Sequence, residues 1–167
     1  GTPSKMGDSI TPDEFAEYVF GAVVVNDWSA RDIQAWEDVP LGPNLGKSFA
    51  TSISPWVVPL LALEAARIDT PVQDPEPLSY LRGEEKWGLD IDLAGEGKLC
   101  FVSRPPYAQM YWSPAQMLAH TTINGAAAST GDLFASGTIS GPDKDQRGAF
   151  IELTWGGKEP VAVGSET

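Results

Sequence analysis

The sequence predicts an α+β fold, mainly β and with a few short helices, and three observations carry that prediction. Apolar runs are short and β-branched, as in Phe20 to Val25, and loops rich in the chain's 17 glycines and 14 prolines break them up. Trp87 to Leu93 alternates, with Trp87, Leu89, Ile91 and Leu93 on one face and Asp90 and Asp92 on the other. Two stretches, Thr11-Pro12-Asp13-Glu14 and Ser113-Pro114-Ala115-Gln116, carry the signature of a helix start.

Each element follows in order. Thr11 caps a helix that Pro12 opens and Glu14 completes as a capping box, running to about Tyr18. Phe20 to Val25 is a buried strand, and Asn26-Asp27 marks where the chain leaves the sheet. Ser29 is placed to cap a helix over Ala30 to Glu37. Pro40, Gly42, Pro43 and Gly46 form a loop, and Lys47 to Thr51 re-enters extended structure. Pro55 and Pro59 flank Trp56-Val57-Val58, and Leu60 to Arg67 reads as a short amphipathic packing helix. Thr70 to Pro77 is a surface connection, and Glu84 to Lys86 a solvated turn.

After the alternating strand, Gly95-Glu96-Gly97 turns the chain into a hairpin partner at Lys98 to Ser103. Tyr111 and Trp112 are assigned to the core, and the Ser113 box opens a helix ending near Asn124-Gly125, where glycine takes a left-handed cap. Gly131 to Ser140 and Ala149 to Trp155 read as strands, with a last strand near Val161 to Val163. Gly1-Thr2-Pro3 reads as the middle of a loop, and Ser165-Glu166-Thr167 ends without a closing strand. Both ends are therefore expected to be truncated.

Composition bounds the function classes. With 42% hydrophobic and 10% aromatic residues the chain reads as globular, and 167 residues are one domain's worth, enough to bury about two thirds of the unfolded surface. A net charge of -12 and a pI near 4.3 repel nucleic acid and anionic membranes, so neither is an expected partner. The single cysteine, Cys100, excludes an internal disulfide and suits a reducing cytosol. No apolar run approaches the roughly 18 residues of a membrane span, and no signal peptide opens the chain. Neither a repeat of 20 to 50 residues nor a low-complexity tract is visible. Gly46-Lys47-Ser48 mimics the tail of a phosphate-binding loop but lacks its glycine spacing.

The chemistry concentrates between Val23 and Trp56. Arg31 and Gln34, three residues apart, share a helix face, and Asp27 lies just before that helix on a similar heading, while the Gly/Pro loop returns Lys47 toward them. A bland alternative stands beside this: Asp27 as a cap, Arg31 paired with Asp27 or Asp32 on a solvated face, Lys47 as an ordinary exposed lysine. Pattern alone leaves both open. Asp90 and Asp92 are explained by strand alternation, and His120, the one histidine, sits in the helix-like MLAHTTING as a structural residue.

Beyond pattern, NDWSARDIQ, WEDVPLGPNLGKSF and SPWVVP resemble the fumarylacetoacetase family. The likeness continues through QDPEPLSYL, MYWSPAQMLAH, ING, GDLFASGTISGP and IELTW, covering nearly the whole chain in order. NDxSARDxQ and GKSF are shared across a superfamily of hydrolases, decarboxylases and isomerases acting on β-dicarbonyl or 2-oxo acids; WEDVPLGP, SPWVVP, MYW and SGTISGP favour fumarylacetoacetase over an acylpyruvate hydrolase or an oxaloacetate decarboxylase.

The resemblance implies a partial catalytic domain spanning 1-167, with mixed sheets in a β-roll or sandwich. It implies a cytoplasmic homodimer in the full-length protein, calcium and/or magnesium as cofactors, and a small dicarbonyl acid as substrate. Asp27 matches the metal-binding aspartate, Arg31, Gln34 and Lys47 match side chains lining the active site, and Gln34 and Thr138 match substrate contacts. Glu152 matches a glutamate that orients a catalytic histidine, and Lys47 and Thr51 match a second, magnesium-binding position. An ammonium cannot ligate a cation, so Lys47 would serve one through its carbonyl or a water.

Two departures accompany the likeness. Asp38 stands where the family carries a substrate-touching tyrosine, and the family's histidine base and remaining metal carboxylates fall upstream of residue 1. The implied reaction is hydrolysis of 4-fumarylacetoacetate to fumarate and acetoacetate, in tyrosine and phenylalanine breakdown; a non-catalytic remnant with an incomplete metal site is the alternative of another class.

Overall fold

The structure, a computed structural model, describes residues 1–97 and 100–162. The chain divides into two compact units, a smaller one of Gly21–Ala62 and a larger one of Gly1–Phe20 with Leu63–Thr167. Eight short strands and six short α-helices occur among the described residues, which is the expected α+β class, built from small sheets. Each of the four sheets pairs two strands antiparallel.

In the larger unit the first capping box forms as expected. The Glu14 carboxylate accepts from the Thr11 amide (2.8 Å) and hydroxyl (2.6 Å), Pro12–Glu14 makes a 3-10 turn, and α1 (Phe15–Tyr18) follows. Phe15 is 2% exposed, with its ring edge-on to Trp87 at 4.9 Å. Burying a side chain of this kind is worth about 1.5–3 kcal/mol. Ile10, Leu89, Ala115, Leu118 and Ala119 complete the centre of that core. Trp87 carries the Arg67 guanidinium over its ring at 4.1 Å, and Arg67 in turn pairs with Glu64 and Glu85.

The helix α5 (Pro114–Thr122) is the main scaffold of this unit. Ser113 Oγ accepts from the Gln116 amide, and Gln116 Oε1 accepts from the Ser113 amide, both at 3.1 Å, which is the predicted capping box closed in both directions. Gln116 is buried, and its side chain also donates to Gln73 Oε1 (2.9 Å) and the Leu81 carbonyl (3.0 Å). Thr122, 1% exposed, accepts from the Ile10 amide (3.0 Å) and donates to the Leu118 carbonyl (3.2 Å), tying the helix to the chain start. Gly125 follows at φ +86°, the left-handed stop.

Several expectations are corrected here. Gly88–Leu89 is the paired part of the alternating segment (β6), against β5 (Arg67–Ile68); the alternation itself holds, with Trp87 and Leu89 buried and Asp90 and Asp92 exposed. Gly95–Gly97 is not a turn but a strand (β7), paired with β8 (Cys100–Ser103) across a register shift; Lys98 lies outside the described residues. Leu60 to Arg67 divides into α4 (Leu60–Leu63), a 3-10 turn and β5, and none of its residues is buried, so it does not pack as a core helix. Trp112 is 41% exposed and is not a core residue.

Gly131 to Ser140 is irregular, and Phe150–Leu153 is helical (α6), so neither forms the expected strand. The reason at Phe150 is local: the Glu152 carboxylate accepts from the Ala149 amide at 3.2 Å and closes a helical turn that outweighs the strand-like apolar alternation. Val161 and Ala162 are not in a strand; Val163 and Ser165 to Thr167 lie outside the described residues.

The smaller unit pairs β1 (Gly21–Ala22) with β4 (Val58–Pro59) and β2 (Val25–Asp27) with β3 (Thr51–Ile53). Between β2 and β3 lie α2 (Arg31–Glu37) and α3 (Leu45–Ser48). The predicted buried strand over Phe20 to Val25 is corrected: Phe20 and Val24 are 65% and 59% exposed, and strand β2 continues through Asn26-Asp27. In this unit the apolar side chains of Trp36, Leu41 and Trp56 point outward, and the buried residue is Gly46.

Candidate functional site

Asp27 ends β2, and its cross-strand partner is Thr51 at the start of β3. Side chains of directly opposed residues in an antiparallel pair project from the same face. The register is supported on the neighbouring positions, where Trp28 Nε1 donates to Ser52 Oγ at 2.9 Å. Lys47 closes the group from α3: its Nζ lies 2.9 Å from Asp27 Oδ2 and donates to the Asp27 carbonyl at 3.2 Å. Lys47 is therefore in a helix, not in the extended segment the sequence suggested, but it does return to Asp27.

On α2, Arg31 Nη1 donates to Gln34 Oε1 at 3.1 Å, the shared face that their spacing predicts. Ser29 does not cap this helix; Ala30 is the N-cap, and no side chain supplies the bond. Asp38 is the exposed C-cap, and its carbonyl accepts from the Gly42 amide at 2.8 Å, a turn that uses Gly42 at φ +66°.

One residue to which the sequence assigns no such role holds α3 in place. The Glu37 carboxylate accepts three successive amides, Asn44 (2.6 Å) and Gly46 (2.6 Å) on Oε1 and Leu45 (3.0 Å) on Oε2. Burial works to raise the Glu37 pKa, and the amides of Gly46, Asn44 and Leu45 outweigh it, leaving the carboxyl below the ordinary value of 4.5. Gly46 is gripped from its other side, its carbonyl accepting the Ala30 amide at 2.9 Å. The available signal was an acid at the end of α2 followed by a Gly/Pro loop that returns; a seven- to nine-residue separation has no periodicity to reveal it.

The remaining predicted residues belong to the larger unit. Thr138 is exposed, and the Thr138-Ile139 segment lies against Gly148, a β-carbon on which would come 3.0 Å from Thr138 Cγ2. Glu152 is half-buried in α6, and its Oε2 accepts from Ser140 Oγ at 2.7 Å, so the SGTISG segment is fastened to the glutamate. Ser140 Oγ itself accepts the Gly148 amide at 3.0 Å. His120 stacks on Tyr80 and its Nδ1 shares a hydrogen bond with the Tyr80 hydroxyl at 2.9 Å. A cavity of about 210 Å³ in this unit, lined by Gln73, Arg82, Trp87 and Gln116 among others, includes none of the predicted site residues.

Among the described residues no three His, Cys, Asp or Glu side chains converge as a metal-ligand set. Calcium takes about six to eight oxygens and magnesium six, so the Asp27 carboxylate suits a hard cation as one ligand and does not make a site. What the structure offers chemically is the Asp27 carboxylate paired with the Lys47 ammonium and, separately on α2, the Arg31 guanidinium bonded to the Gln34 amide. No helix among the described residues is long and apolar enough to cross a membrane.

Comparison with known proteins adds an independent finding. The profile described as "Fumarylacetoacetate (FAA) hydrolase C-terminal" matches residues 3–160. The chain is 46% identical to a fumarylacetoacetase of Arabidopsis thaliana over 173 residues, covering 100% of this chain and 41% of that protein. It is 46% identical to a human fumarylacetoacetase over 99% of its length and 41% of the relative's. With a Caenorhabditis elegans fumarylacetoacetase the figures are 45%, 99% and 41%. The chain thus spans about two fifths of the length of the curated relatives it matches.

Proposed function

The chain belongs to the fumarylacetoacetate hydrolase family, and on that premise we propose that it carries part of the active site of a hydrolase cleaving 4-fumarylacetoacetate to fumarate and acetoacetate. The observation that supports this best is the Lys47–Asp27 pair at a strand end, 2.9 Å apart, with Arg31 and Gln34 bonded on the adjoining helix.

The chemical difficulty is the leaving group, since acetoacetate departs as a carbanion or enolate that is strongly disfavoured near neutral pH. Fixed positive charge where the enolate oxygen develops lowers that barrier more than it stabilises the substrate. Lys47 and Arg31 supply the cations, and Gln34 donates to the same oxygen. In the larger unit, the family likeness alone assigns Thr138 to substrate contact and Glu152 to orienting a water-activating histidine. Water adds hydroxyl to the fumaryl carbonyl carbon and a proton to the acetoacetate carbon. Asp27 would give one ligand to calcium or magnesium, with Thr51 and Lys47 near a second, magnesium position, and the cation would supply polarisation of the 1,3-dicarbonyl. Asp38 replaces a tyrosine contact with a carboxylate. The same reading places the enzyme in cytoplasmic tyrosine and phenylalanine breakdown, as a homodimer.

Loss of fumarylacetoacetate absorbance in the full-length protein, with calorimetric titration of calcium or magnesium, tests the proposal. Lys47→Ala and Asp27→Ala should each lower kcat by about 10²-fold or more, and Asp27→Ala should weaken cation binding. Wild-type turnover undiminished by Lys47→Ala would overturn it. The 167-residue chain alone should bind cation weakly and not turn over; tight binding with turnover would contradict the one-ligand reading of Asp27.

A further inference from the structure

We propose that Glu37 is the positioning residue of this site: by holding the Asn44, Leu45 and Gly46 amides it fixes where α3 begins and so sets the Lys47 ammonium on Asp27. The inference rests on the role given to Lys47 above, but its structural half stands apart from catalysis.

α3 has four residues, one turn, and a single turn does not hold itself in water because fixing its dihedrals gains too few bonds. Its position must come from outside the turn. The amides at a helix start have no partner within the helix, and here Asn44, the N-cap, gives no side-chain cap of its own. Glu37 takes the place of that cap from seven residues upstream, and its ionised carboxylate makes the bonds charge-assisted. The Ala30 amide binds the Gly46 carbonyl, so α3 is fixed against both ends of α2. Lys47 follows Gly46 directly. Its long side chain has four rotatable bonds, and the anchor at Gly46 fixes the backbone from which it reaches Asp27. Glu37 touches no reacting atom; it acts through Gly46 and Lys47.

Lysine acylation by an N-hydroxysuccinimide acetate, read by peptide mass mapping on the 167-residue chain, tests this without any turnover. In Glu37→Ala the Lys47 rate should rise about tenfold, the shift expected from losing a charge-assisted hydrogen bond, while Lys86 and Lys158 stay unchanged. Glu37→Gln keeps an oxygen for Asn44 and Gly46 but turns a donor toward the Leu45 amide, so its effect should be smaller and in the same direction. Amide proton resonances of Asn44 and Gly46 should move upfield in step. A Lys47 rate unchanged in both variants, or a rise shared equally by Lys86 and Lys158, would overturn the proposal. In the full-length enzyme the same variants should lower kcat with little change in KM. If Lys47 labelling responds while turnover does not, Glu37 positions Lys47 and the catalytic role of Lys47 is what fails.

Discussion

Gly46 lies so close to the backbone of Gln34 that a β-carbon there would come within 2.8 Å of the Gln34 nitrogen and 3.0 Å of Glu37 Oε1. The nearest atoms are main chain, which cannot rotate away. Gly46→Ala should therefore force α3 off α2 and destabilise the smaller unit by about 1–3 kcal/mol, the range for overpacking. Urea unfolding followed by far-UV circular dichroism would report it as a lower midpoint; an unchanged midpoint would mean the two helices separate without cost.

Ser113 and Gln116 cap α5 reciprocally, and their substitutions should differ in size. Ser113→Ala removes one acceptor and should cost about 1 kcal/mol. Gln116→Ala leaves the Ser113 amide, the Gln73 side chain and the Leu81 carbonyl unanswered in a buried setting, each worth about 1–3 kcal/mol when stranded. Calorimetric melting should rank Gln116→Ala well below Ser113→Ala, and equal melting temperatures would refute the network reading.

The Thr11 hydroxyl first, and its amide second, hold the Glu14 carboxyl below its ordinary value of 4.5, against a smaller upward push from burial. A carboxyl lowered on folding stabilises the fold fully above its unfolded pKa and loses that contribution as pH falls through the folded one. Stability should thus decline below about pH 4.5, and Glu14→Gln should flatten that decline while leaving the slope above pH 6 untouched. A Glu14→Gln profile parallel to wild type down to pH 3 would rule out the contribution.

Burial raises the Tyr107 phenol above 10.0. The neutral form is the one the fold accepts, so its contribution is complete below pH 10 and lost as pH rises through the folded value. Phenolate absorbance should show one tyrosine ionising late or together with unfolding, and Tyr107→Phe should delete that component.

What was legible in the sequence was local. Both capping boxes are written in four consecutive residues, and the Arg31–Gln34 bond follows from three-residue spacing. The return of Lys47 to Asp27 is one of two readings the Gly/Pro loop allows, and the structure selects it. Where it failed, composition competed with hydrogen bonding: Phe150-Ile151-Glu152-Leu153 has strand residues in strand order, and one carboxylate on the Ala149 amide makes it a helix. Hydrophobicity alone points Trp112 and Leu60 to Arg67 toward packing, and it does not say against what. Glu37 was invisible because it serves amides far enough along the chain that neither a helical nor a strand period links them.

The two ends of α2 grip one residue, Ala30 through its amide and Glu37 through its carboxylate, so the helix works as a gauge block. The seven residues of α2 fix the turn on which the Glu37 carboxylate meets the Gly46 amide while the Ala30 amide holds the Gly46 carbonyl. Adding or deleting one residue inside α2 would turn Glu37 by about 100° and take it off its target. An extra residue among 39–41, beyond the gauge, would only lengthen a loop whose ends are already fastened, at a closure cost that grows slowly with length. Length variation between relatives should accordingly be tolerated after Glu37 and refused before it.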